Sequence, residues 1–163
     1  MPVQNKLLLY ADGACRYDGP DGGVTSGSFA AYLVPRKSKW RNREEEHLVL
    51  KEHGHPLIHQ GRMSVGVTKT ERGTNILAEA KMLETALVWA RNYIKSQKDD
   101  VAEVEVCVDC QAVERQLKGY RPTHNRPLKK VLQRIRRIIL DIDLPVRITW
   151  IPGVLMKQTI IAH

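Results

Sequence analysis

Leu7-Leu8-Leu9-Tyr10-Ala11-Asp12-Gly13-Ala14-Cys15 is an apolar run that ends abruptly on a carboxylate, a glycine and two small residues. Leu7 to Tyr10 read as a strand covered on both faces, the kind found inside α/β sheets. A carboxylate at the end of such a strand is costly to desolvate unless a cation or hydrogen-bond donors meet it. Asp12-Gly13 reads equally as an ordinary loop opening. The choice between turn and site lies with the rest of the chain.

Outward from this first strand, near residues 5–12, the loop Arg16–Gly23 holds three glycines and a proline, and a second strand is expected near Ser26–Val34. Residues 36–55 form a long polar connection, basic from Arg36 to Arg43 and then Glu44-Glu45-Glu46, before a third strand near Leu57–Lys69. Thr74 reads as the N-cap of a helix to about Lys95, with Ile76, Ala80, Leu83, Leu87, Ala90 and Ile94 on one face. Glu79 borders that face, where the helix dipole also favours a carboxylate. A strand over Glu103–Asp109 ends on a second aspartate, and a helix is expected at Gln111–Leu117. After a turn-rich link, a helix over 127–140 sets Leu128, Val131, Leu132, Ile135 and Ile139 opposite a basic stripe of Lys130, Arg134 and Arg137. A last strand, Val146–Ile151, runs into Pro152-Gly153 and a short apolar helix. The order β-β-β-α-β-α-α-β-α describes an α/β protein, a mixed sheet flanked by helices.

The 163 residues fit a single domain, 1–163, and 42% hydrophobic with 27% charged residues is a globular composition. No run approaches the roughly 18 apolar residues of a membrane span. Met-Pro-Val-Gln-Asn-Lys lacks the apolar stretch of a signal peptide, so a cytoplasmic location is expected. Between Arg121 and Leu140 stand seven basic residues and no acidic one, which carries +7 of the net +8. A localised basic surface on a near-neutral body points to a polyanion, nucleic acid first, although such runs are also ordinary solvated helix faces. Cys107-Val-Asp-Cys110 has C-x-x-C spacing but no second pair to complete a zinc site, and Cys15 leaves an odd count. His53, His55 and His59 lack ligand spacing and read as exposed loop residues.

Ligands of α/β sheets collect at the carboxyl ends of parallel strands, where Asp12 and Asp109 both fall and a crossing helix brings Glu79 within reach. Three converging carboxylates repel one another unless divalent cations neutralise them. Hard oxygen donors select Mg²⁺ or Mn²⁺, and two such ions activate a water and stabilise the leaving oxygen of a phosphodiester. A metal-dependent nuclease follows from the residues alone.

Asp12-Gly13-Ala14-Cys15, Thr74-Asn75-Ile76-Leu77-Ala78-Glu79, Asp109-Cys110-Gln111 and Trp150-Ile151-Pro152-Gly153 resemble, in that order and on matching elements, the type 1 ribonucleases H. The resemblance covers nearly the whole chain. It implies a ribonuclease H-like fold with a five-stranded sheet, and an endonuclease cutting the RNA strand of RNA–DNA hybrids with Mg²⁺. Asp12, Glu79 and Asp109 match the family's metal-binding carboxylates. Backbone groups of Gly13, Ala14 and Cys15 would face ribose 2′-hydroxyls, small residues there allowing close approach. Asn75 and Gln111 would make polar minor-groove contacts, and Lys130, Arg134 and Arg137 would hold phosphates of the DNA strand. A monomer is expected, and no protein partner is indicated. The pattern departs at the end of the chain. The family's fourth carboxylate falls on Ile160 in a gapless match, or on His163 after a small shift. Histidine suits Mn²⁺ better than Mg²⁺, so His163 stands as the fourth catalytic and metal-binding candidate beside the reading of an unanchored chain end. Val154 occupies the place of a histidine common after Pro-Gly, which implies slower turnover. The competing reading is a nucleic-acid-binding module on the same fold with weakened catalysis.

Overall fold

The computed structural model describes residues 5–16, 24–35, 55–64, 75–96, 100–119 and 126–156. Leu7, Leu8, Leu9 and Ala11 are fully buried and Tyr10 nearly so, so the opening run is a strand covered on both faces. This strand, β1 (Asn5–Arg16), is the middle of five, in the order β3-β2-β1-β4-β5. β2 (Val24–Pro35) pairs antiparallel with β1, and β3 (His55–Ser64) antiparallel with β2. β4 (Val101–Val108) and β5 (Val146–Trp150) extend the sheet on the other side in parallel. α1 (Asn75–Ser96) links β3 to β4; α2 (Gln111–Leu117) and α3 (Arg126–Ile142) link β4 to β5; α4 (Gly153–Met156) follows β5. The elements match the expected order one for one. β1 runs on to Arg16 rather than ending at residue 12, because β2 stays paired with it as far as Arg16↔Val24. The part of the third strand expected beyond Ser64, the helix cap at Thr74 and residues 36–54 lie outside the described residues.

Period-two alternation sorts β1 between two cores. Leu7, Leu9 and Ala11, with Phe29, Val106 and Ile148, face α1 and α3. Leu8 and Tyr10 pack on the opposite face with Ala30, Cys107, Ile151 and Met156. The apolar face of α1 is wider and rotated relative to the expected stripe. Ile76 is 37% exposed, whereas Leu77, Ala78, Met82 and Ala86, all off the stripe, are buried. α1 lies between the sheet and α3, so two sides of it are covered, and a single-stripe reading sees one.

Two polar features shape the frame. Lys6 Nζ on β1 donates to Glu105 Oε1 on β4 at 2.9 Å, and Thr149 Oγ1 on β5 donates to Glu105 Oε2 at 2.6 Å. Lys6 and Glu105 are both buried, so three neighbouring strands share one satisfied ionic link. α3 ends where Asp143 takes a left-handed conformation (φ 56°), which turns the chain through Pro145 into β5.

Candidate active site

The site lies where the parallel pairing of β1 and β4 stops. Tyr10↔Cys107 is the last pair; Asp12 lies just beyond it on β1, and Asp109 directly follows the end of β4. Glu79 arrives from α1, whose backbone lies unusually close to the sheet. A Cβ on Gly13 would stand 2.4 Å from Ala78 O and 2.7 Å from Glu79 N. Gly27, the register partner of Gly13 on β2, would bring a Cβ within 2.5 Å of Met82 Sδ. The paired glycines form a trough that seats α1 and carries Glu79 to Asp12. Sequence reasoning assigned the smallness of Gly13 to substrate approach; the space its side chain would fill is occupied by α1. Glu79 also sits past the first turn of α1, where the helix dipole has faded, so the dipole does not account for it.

Ligand atoms of Asp12, Glu79 and Asp109 all lie within 4.8 Å of one another. Glu79 is buried, and its Oε2 has no hydrogen-bond partner. Burial first, then the charges of Asp109 and Asp12, push its carboxyl from 4.5 up to about 11. An orphaned buried carboxylate oxygen beside two half-buried aspartates fits a hard divalent cation, whose charge would favour the ionised form of Glu79. Neither Cys107, buried, nor Cys110, half-buried, belongs to this cluster among the described residues. Two hydrogen bonds brace Asp109: Trp150 Nε1 donates to Asp109 O at 3.1 Å, and Ile151 N donates to Val108 O at 2.8 Å. Gly153 opens α4 beside the cluster, its Cβ position 3.7 Å from Asp109 Oδ2, and Val154 next to it is exposed.

No family model and no curated protein matches the sequence. Solved structures do match. The RNase H1 of the halophilic archaeon Halobacterium salinarum NRC-1 is similar with a TM-score of 0.64 at 23% identity, covering 93% of this chain and 89% of that one. LC11-RNase H1, solved in complex with an RNA/DNA hybrid, gives a TM-score of 0.64 at 18% identity over the same shares. The foamy viral protease-reverse transcriptase, solved with an RNA/DNA hybrid, gives 0.54 at 15% identity, with 94% of this chain on 18% of that one. The chain has a ribonuclease H fold.

Within the ribonuclease H fold the remaining candidates fall at different places. Gly13 is buried, while for Ala14, Cys15 and Asn75 the backbone alone is described, on β1 and at the start of α1. Gln111 is exposed at the start of α2, close to Asp109. Lys130, Arg134 and Arg137 lie on the exposed side of α3. Arg134 is engaged there: its Nε and Nη2 donate to Glu84 of α1 at 2.5 and 3.2 Å. Charge counting along α3 does not show this fork, because Glu84 belongs to another helix. His55 and His59 lie on β3, and His53, Ile160 and His163 lie outside the described residues. No helix among the described residues is long and apolar enough to cross a membrane. Sequence reasoning missed Trp150 as the brace of Asp109; its place in Trp150-Ile151-Pro152-Gly153 was the available signal.

Proposed function

We propose that the protein is an endoribonuclease that hydrolyses the RNA strand of RNA–DNA hybrids with divalent cations. The observation that carries this reading is the convergence of Asp12, Glu79 and Asp109 around a buried Glu79 oxygen that no hydrogen bond satisfies. The hybrids bound by LC11-RNase H1 and by the foamy viral enzyme support the choice of substrate. Asp12, Glu79 and Asp109 would hold the cations, whose charge would favour the ionised form of Glu79. When bound, Mg²⁺ or Mn²⁺, two ions with substrate present, would supply Lewis acidity for the attacking water and positive charge for the leaving oxygen. The backbone of Gly13, Ala14 and Cys15 meets 2′-hydroxyls, which mark the strand as RNA. Asn75 and Gln111 contact the minor groove. Lys130, Arg137 and, once released from Glu84, Arg134 hold phosphates of the DNA strand. The enzyme acts as a cytoplasmic monomer of one domain, 1–163.

His163 is the fourth ligand in this reading. His163→Ala is expected to raise the metal concentration needed for cleavage, and His163→Asp to improve use of Mg²⁺; identical metal titrations for wild type and both variants would remove it from the site. The weakened binding module is favoured by one observation, the exposed Val154 beside Gly153. Labelled RNA–DNA hybrid, double-stranded RNA and double-stranded DNA, each with Mg²⁺, Mn²⁺ or chelator, decide between the two. Metal-dependent cutting of the hybrid's RNA strand supports the nuclease; hybrid binding without cutting under any metal supports the module.

A further inference from the structure

Beside the carboxylate cluster, α2 and the edge strand β5 enclose a groove of about 390 Å³. Gln111, Glu114, Arg115 and Lys118 form one wall, and Arg147 and Trp150 belong to the other. One end of the groove adjoins the cluster, since the Trp150 indole is tied to Asp109 O and Gln111 follows Asp109 closely in the chain. That hydrogen bond also holds the indole in place, with 39% of the residue exposed. Glu114 is neutralised by its ion pair with Lys118. Arg115 and Arg147 are exposed and make no side-chain ion pair or hydrogen bond with any other described residue. A groove lined by an immobilised indole and by two uncommitted arginines suits single-stranded nucleic acid. Each unpaired base offers a π-face to stack, and each linkage offers a phosphate for a planar fork of donors. A duplex keeps its base faces within its own stack and cannot use the indole.

We infer that this groove binds a single-stranded segment continuing from the cleaved hybrid, with one base stacked on Trp150 and backbone phosphates on Arg115 and Arg147. The inference rests on the hybrid-cleaving reading for the origin of that strand, not for the binding itself. The test uses the full chain in two arms. In the first, short labelled single-stranded DNA and RNA are titrated in chelator over a range of salt. Arg115→Ala with Arg147→Ala is expected to weaken binding and flatten the log–log salt slope by about 0.7 for each phosphate that is no longer neutralised. Trp150→Ala is expected to weaken binding on the order of tenfold, and Trp150→Phe to retain most of it. In the second arm, hybrids with and without a single-stranded tail are cleaved. The wild type is expected to show a lower KM for the tailed hybrid, and the double arginine variant to lose that advantage while cutting the blunt hybrid at the wild-type rate. An unchanged salt slope in the double variant, or equal KM for both hybrids in the wild type, overturns the groove. If no hybrid is cleaved at all, the hybrid-cleaving reading fails, and the first arm still decides whether the groove binds.

Discussion

Glu79 has one oxygen buried with no donor, and its carboxyl is pushed up to about 11 in the absence of a cation. Below its ordinary value of 4.5 it is protonated in both the folded and the unfolded chain. Above 4.5 the unfolded chain releases that proton, and the metal-free folded chain keeps it until about 11. The folded state therefore binds more protons across this window, and the contribution of Glu79 makes metal-free stability fall as pH rises through it. Melting in chelator at about pH 6 and about pH 9 is expected to show the fall in wild type and a flatter profile in Glu79→Gln. The same substitution is expected to abolish cleavage, as are Asp12→Asn and Asp109→Asn, each removing several kcal/mol of transition-state stabilisation. Hybrid binding is expected to survive in all three, because in the proposed site the carboxylates hold cations rather than the substrate backbone. Substantial residual cleavage in any one of them contradicts the site.

At the scale of elements, the glycine trough and the buried ionic link respond to different kinds of substitution. Gly13→Ala drives a Cβ into the backbone of α1, which no side-chain rotation relieves, and about 1–3 kcal/mol of stability is expected to go with a displaced Glu79. Gly27→Ala meets the flexible Met82 side chain and, at 2.8 Å, the backbone Asp12 O, so Met82→Ala is expected to remove only part of its cost. Denaturant titrations of the four variants in that cycle measure the difference. In the Lys6–Glu105–Thr149 link, Lys6→Ala leaves a buried carboxylate without its cation and is expected to cost about 3–5 kcal/mol. Lys6→Met with Glu105→Leu is expected to recover most of that loss, which chemical denaturation reads directly.

For the whole molecule, what was legible in the sequence was whatever depends on local pattern. The run Leu7–Ala11 identified a doubly covered strand, and four short motifs in order located the carboxylates of β1, α1 and the end of β4. Contacts between elements were hidden. Nothing within α1 shows that the sheet covers one side of it and α3 another, or that Ala78 and Met82 lie against Gly13 and Gly27. Nothing within β4 shows that Glu105 meets Lys6, a residue 99 positions away, or within α3 that Arg134 forks onto Glu84. Gly13 was legible as a place where a small residue is needed, but the helix that fills the space stayed hidden, since a missing side chain names no partner. The drawing of the three carboxylates from distant parts of the chain has a kinetic side. A folding nucleus holding only β1 and β2, or only α1 against α3, carries at most part of the cluster. With such a nucleus, cations at the proposed site would find their full set of ligands only after the rate-limiting barrier of folding has been crossed. Added Mg²⁺ is expected to leave the refolding rate in stopped-flow experiments unchanged and to slow unfolding, so that the metal acts as a lock on the finished molecule and not as a guide to its assembly.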